Sequence, residues 1–348
     1  MIEIRAKGIR FGFDARTGLL DGFTVEDGGH EIALLHRAPW VGTEEITPPG
    51  TPPHLTTLGG DFFCAPFAGS QEGSPLHGWT ANSPWDVVEQ KAGRLRARLR
   101  RTVCGATVTK ELEVEDGHAW VYQRHVFAGG SGRIAISNHA NVSLPRGGLI
   151  SCSPKSAWET PPAPPEVDSA RGRSGLRYPS RSTAPDRFPG IDGSVDLSRF
   201  PWNPRHEDVV IAIEGREHSL GWTAVTRPVE GDLFLSLRNA RRLPMTIFWH
   251  SNGGRDYPPW SSRHFGCLGV EESAAAVLRS HSSENDLSGP GALTLVRDGE
   301  AEVRHAIGAI WWPSGERVED IRVVDRAIEL CGDRGGFRRL AFRTHFLN

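Results

Sequence analysis

Several features are missing from this chain, and each absence narrows what it can be. No uninterrupted apolar run approaches the length that a bilayer demands, and the opening "MIEIRAKGIRFGF" alternates charge with hydrophobe instead of forming the apolar core of a secretion signal. No membrane partner is expected, and the location expected is cytoplasmic. There is no surplus of positive charge: the formal net charge is -2 over 348 residues, which leaves no broad electropositive field to gather nucleic acid. The five cysteines (Cys64, Cys104, Cys152, Cys267 and Cys331) are odd in number and scattered, with no C-x-x-C pair. That suits neither a disulfide framework nor a zinc cage, so they read as reduced structural thiols. Neither a low-complexity linker nor a repeat at solenoid or propeller period divides the sequence. One domain over residues 1–348 is therefore expected, as a monomer or homodimer.

What the chain does have is period two. In Arg94-Leu95-Arg96-Ala97-Arg98-Leu99-Arg100 the apolar residues hold one parity and the arginines the other, so a strand would bury Leu95, Ala97 and Leu99 and leave the guanidinium groups in water. Val108, Leu112 and Val114 continue the pattern, and short strands follow at Trp120 to Phe127, Arg133 to Ser137, Val209 to Ile213, Leu233 to Leu237 and Leu293 to Val296. Strand after strand with turn residues between them, and one short helix candidate at Ser273 to Ser280, predicts an all-β, antiparallel sandwich or barrel. Residues 145–204 break the rhythm with a stretch rich in Pro, Ser, Arg and Gly. Its Trp158, Tyr178, Phe188, Phe200 and Trp202 give it something to bury, so it is expected to pack over the sheet as a long irregular excursion.

Three stretches carry residues suited to chemistry. "GGDFFCAPFAGSQEGSPLHGWTANSPW" sets His77 among glycines, with Trp79 as a flat face for a sugar ring. "ISNHANVSL" places His139 at the parity of Ala135 and Ser137, the smaller and more polar side of its strand. "FWHSNGGRDYPPWSSRHFGCLGVEES" offers Trp249, Arg255 and Trp260, and an apolar segment from Phe265 to Val270 that delivers Glu271 at its end. Each also has a plain structural reading: a tight turn with a surface His77, a hydrogen-bonded core His139, a solvated Glu271.

Taken together and in this order, "GGDFFCAPFAG", "HGWTANSPW", "SNHANVSL" and "LGVEE" resemble the aldose 1-epimerase (galactose mutarotase-like) superfamily, nearest in motifs to its hexose-6-phosphate mutarotase branch. The resemblance implies a large antiparallel β-sandwich of the galactose mutarotase-like kind. It implies Glu271 as general base and His139 as general acid, facing each other across a sugar ring, with His77 as a second contact and no metal or cofactor. His206 and Asp208 in "RHEDVV" stand about where sugar mutarotases hold hydroxyls, and Trp249, Trp79 and Arg255 are further binding candidates. Three positions depart from the pattern. Glu272 replaces the usual proline after the glutamate, and Asn141 replaces a frequent tyrosine. Ala81 and Leu58 replace arginines of the phosphosugar branch, so an unphosphorylated sugar is expected unless Arg255 or Arg37 compensates. The alternatives are a non-catalytic carbohydrate-binding protein, which needs neither His139 nor Glu271, and a glycoside hydrolase or lyase, which needs a second carboxylate such as Asp208 or Asp256.

Overall fold

A computed structural model describes residues 1–45, 47–215, 217–279 and 291–348. Alternating burial builds the strands as the sequence predicts: Arg94–Leu99 buries Leu95, Ala97 and Leu99, and Ala106–Glu113 buries Val108 and Leu112. Among the described residues these strands assemble into one sheet of 11 strands and one of nine, with small sheets of two and three strands beside them. The pairings between these strands are antiparallel. The architecture is an all-β sandwich. Phe63, Val210, Phe248 and Val270 from the larger sheet meet Phe127 and Phe234 from the smaller in the main core, each such side chain contributing about 1.5–3 kcal/mol on burial.

The larger sheet positions the site. Across its middle, Asp61–Cys64, Ile136–Ser143, Cys267–Ala274, Met245–Asn252, His206–Glu214 and Lys155–Glu159 lie side by side in that order. Their inward residues join the main core, while Phe62, Ile211, Ile247 and Trp249 form a second cluster on the outer face.

Some boundaries differ from expectation. The Arg133 to Ser137 strand is two strands: one ends at Ile134, the next begins at Ile136, and Ala135 is where the chain leaves the smaller sheet for the larger. Glu271 does not close its strand but sits in the middle of Cys267–Ala274. The expected helix is replaced by the end of that strand and a single 3-10 turn at Ala276–Leu278, while Ser280 lies outside the described residues. The sheet claims the start of that segment: Ser273 is paired on both sides, with Ser137 and Met245, and Ala274 with Ile136. The 145–204 segment is less irregular than its composition: Gly148–Cys152 joins the smaller sheet and Lys155–Glu159 the larger. It buries Trp158, Phe188 and Phe200, with Tyr178 and Trp202 packed half-buried against the main core. No helix among the described residues is long and apolar enough to cross a membrane.

Candidate active site

The register of two neighbouring strands sets His139 directly opposite Glu271. Same-face residues at paired ladder positions come within reach of one another, and here His139 Nε2 lies 3.3 Å from Glu271 Oε1. The two groups therefore stand side by side, not across a ring as the sequence reading had them. Phe62, the partner of His139 in the strand on the other side, stacks on the imidazole at 4.5 Å. Gly269 leaves the space the ring occupies, since a Cβ there would meet His139 Cε1 at 3.1 Å and Trp249 Cβ at 3.0 Å.

Burial sets the protonation of this pair. Removal from water disfavours the charged form of either group, and it pushes the Glu271 carboxyl up to about 8 and the His139 imidazole down to about 3. The contact has the spacing of an ion pair, but desolvation opposes charge on both partners. The resting pair is a neutral carboxyl and a neutral imidazole with one proton to share. Glu271 Oε2 and His139 Nδ1 are buried without a hydrogen-bond partner among the described residues, which is uncommon for interior polar atoms.

His139 and Glu271 form part of the wall of a cavity of about 360 Å³. His77 also lines it, its ring 5.3 Å from that of His139 and 4.5 Å from that of His54. Burial, then the neighbouring His54 and His139, hold His77 well below the usual histidine range. Gly78, at φ +66°, makes the turn that brings His77 in; a Cβ there would lie 2.4 Å from the Ala65 carbonyl oxygen. Trp249, Trp260 and Arg255 also line the cavity, the guanidinium 4.5 Å over the Trp260 ring. Pro161, Ala163 and Pro165 of the 145–204 segment complete one wall.

No protein-family model matches the chain and no curated protein matches it in sequence. Solved structures do. A galactose mutarotase related enzyme from Lactobacillus acidophilus aligns with a TM-score of 0.58 at 10% identity, over 88% of this chain and 96% of that one. A galactose mutarotase-like protein from Lactobacillus casei aligns with a TM-score of 0.52 at 12% identity, over 89% of this chain and 99% of that one. The chain has the galactose mutarotase-like fold.

Within this galactose mutarotase-like sandwich, three of the binding candidates lie off the cavity. Trp79 packs against the main core beneath the Arg101 guanidinium, 3.6 Å from its ring centre, and does not line the pocket. His206 and Asp208 lie on the opposite face of their strand from Val209, which does line it. Asp208 accepts from His206 Nδ1 at 3.0 Å, from the backbone amides of Gly175 and Leu176, and from the Tyr178 hydroxyl. It anchors the excursion. The acid on the cavity face is Glu207, one residue earlier, which the sequence reading missed. Its carboxylate accepts from Trp249 Nε1 at 2.5 Å and Ser251 Oγ at 2.8 Å, and Arg255 Nε lies 3.2 Å away. Strict alternation back from Ile213, Ile211 and Val209 would have found it. Asp256 pairs with Arg173 of the excursion, so Glu271 is the one carboxylate lining the cavity among the described residues.

The departures from the family pattern also resolve. Glu272 points into the sandwich, away from Glu271, and accepts from Thr223, Ser236 and Thr246 at 2.8–2.9 Å while Arg238 Nη1 lies 2.6 Å away. Arg238 in turn pairs with Glu214, which also holds Lys155. This buried network clamps the strand that carries Glu271. Asn141 donates to the carbonyls of Gly59 and Gly60 at 3.2 Å, and a Cβ at either glycine would strike the backbone of His36 or Leu20, so those glycines approach backbone. Leu58 lines the cavity as an apolar wall and Ala81 is buried in the outer cluster, while Arg37 does not reach the lining. One group of possible metal donors occurs among the described residues, His36, His264 and Cys267, with ligand atoms within 4.8 Å of one another. A hydrogen-bond chain accounts for its histidines: His36 Nε2 to His264 Nε2 at 3.0 Å and His264 Nδ1 to Ser251 at 2.7 Å.

Proposed function

We propose that this protein is an aldose 1-epimerase-like isomerase that interconverts the anomers of an unphosphorylated aldose, with Glu271 and His139 as its acid-base pair. The observation that carries the reading is the 3.3 Å contact between a buried carboxyl and a buried imidazole on the wall of a cavity. Opening a cyclic hemiacetal removes the anomeric hydroxyl proton and adds one to the ring oxygen as the C1–O5 bond breaks and C1=O forms. Both oxygens are bonded to the same carbon, so an acid and a base side by side serve better than a pair on opposite faces.

The neutral resting pair contains the same number of protons as imidazolium plus carboxylate, and a proton crossing the contact converts one to the other. In the second form Glu271 takes the anomeric proton and His139 protonates the ring oxygen; rotation about C1–C2 and reclosure with roles reversed gives the other anomer. His77, also on the cavity wall, supplies a further contact to the sugar in this reading. Among the described residues phosphate has no ready partner: Arg255 is the one Lys or Arg of the lining, it lies against Glu207, and Leu58 holds the place of a phosphosugar-branch arginine. The names of the Lactobacillus neighbours agree with this chemistry.

The test is anomer exchange of freshly dissolved α-aldoses followed by NMR. The protein should accelerate exchange, and Glu271→Gln should lower the rate by roughly 10²–10⁴-fold, the usual share of a general acid or base. Sugar binding without acceleration would replace the enzyme with a carbohydrate-binding protein on the same scaffold.

A further inference from the structure

Resting on the epimerase reading, we propose that the substrate is an aldose made apolar away from C1, either deoxygenated or carrying an alkyl ether or acyl group, and not a freely hydroxylated hexose. Only five of the 19 lining residues among those described are polar, and no Asn, Gln, Asp, Ser, Thr, Tyr or Lys is among them. Two of the five, His139 and Glu271, are assigned to the anomeric hydroxyl and the ring oxygen. Each of the others already has one polar atom engaged. His54 Nδ1 lies 2.8 Å from Asn82, His77 Nδ1 lies 3.5 Å from Cys64 Sγ, and Arg255 lies against Glu207 and Trp260. Even the Trp249 indole N–H is used by Glu207.

A hydroxyl that leaves water must find a partner or cost roughly 1–3 kcal/mol. A free hexose would bring a ring of hydroxyls into a wall with few donors or acceptors left for them. The apolar character extends to the mouth, where Leu76 stays 60% exposed and Pro161 and Pro165 are half-buried. Exposed apolar surface continuous with a pocket marks where an apolar ligand group rests. The aldose end of the ligand lies at His139 and Glu271, and its apolar end extends toward this rim.

The experiment measures enzyme-dependent anomer exchange by NMR for glucose, 6-deoxyglucose, 4-O-methylglucose and 6-O-butanoylglucose, with binding of each followed in parallel through tryptophan fluorescence. The expected result is kcat/KM for the modified sugars at least about 10-fold above glucose, since each unpaired hydroxyl removed is worth that factor. Leu58→Asn, which puts an amide into the wall, should narrow the ratio. Glucose turned over as well as the modified sugars overturns the substrate class and leaves the epimerase standing. No acceleration of any sugar, with fluorescence still ranking the modified sugars above glucose, removes the epimerase and supports the ligand class. No preference in either measurement overturns the ligand class.

Discussion

Replacing Glu271 with glutamine should stabilise the protein while removing its activity, by an amount that depends on pH. The carboxyl begins to ionise near its ordinary value of 4.5 in the unfolded chain, whereas in the folded protein it keeps its proton up to about 8. Between those values unfolding releases a proton, so the folded state loses stability as pH rises from about 4.5 to about 8. Each pH unit in that window is worth about 1.4 kcal/mol, which puts the cost of this one side chain near 3 kcal/mol at pH 7 and under about 1 kcal/mol at pH 5. Glutamine has nearly the same shape, has no proton to lose and can donate to His139 Nε2, so it escapes the cost. Urea unfolding of wild type and Glu271→Gln at both pH values, with unchanged m-values, reads the difference directly. The variant should be more stable by about 2–3 kcal/mol at pH 7, with most of the gain gone at pH 5. A variant less stable at pH 7, or a gap that does not change with pH, would refute the claim that Glu271 is held protonated by burial.

The same pair predicts the pH profile of anomer exchange. Once spontaneous exchange is subtracted, the catalysed rate should fall as pH rises through about 8, because Glu271 then loses the proton that the pair must share. A rate that stays flat to pH 10 would contradict this. Gly269→Ala should push the His139 ring off its place, since the new methyl group would sit 3.1 Å from Cε1; kcat should drop by about 10-fold or more with the fold kept, as judged by circular dichroism. Arg238→Met leaves Glu272 and Glu214 buried with less compensation and should destabilise the protein by about 3–5 kcal/mol in the same urea assay. A neutral result would mean that the network does not clamp the strand.

Much of the architecture was legible in the chain. Alternation marked the faces of Arg94–Leu99 and Ala106–Glu113, and it put His139 on the face of Ser137, opposite Ile136 and Ala140 of the core. The aromatic residues of the 145–204 segment foretold that it would pack, but not that part of it would enter both sheets, because Pro and Gly content masks short strands. At "RHEDVV" the family position drew attention to Asp208, whereas period two pointed to Glu207. The helix expected from Ser273 gives way at its start to the strand Cys267–Ala274, because propensity is weak against hydrogen-bonded neighbouring strands.

The sequence alone determined which side chains share a strand face, since successive residues of an extended chain must point to opposite sides. It could not decide which strands lie next to each other or in what register. That belongs to the packing of the whole sandwich, which puts Glu271 beside His139, turns Glu272 the other way, and strips the cavity of most hydrogen-bonding groups. Distance from water is a property of the assembled sheets, and so is the protonation on which the proposed chemistry rests.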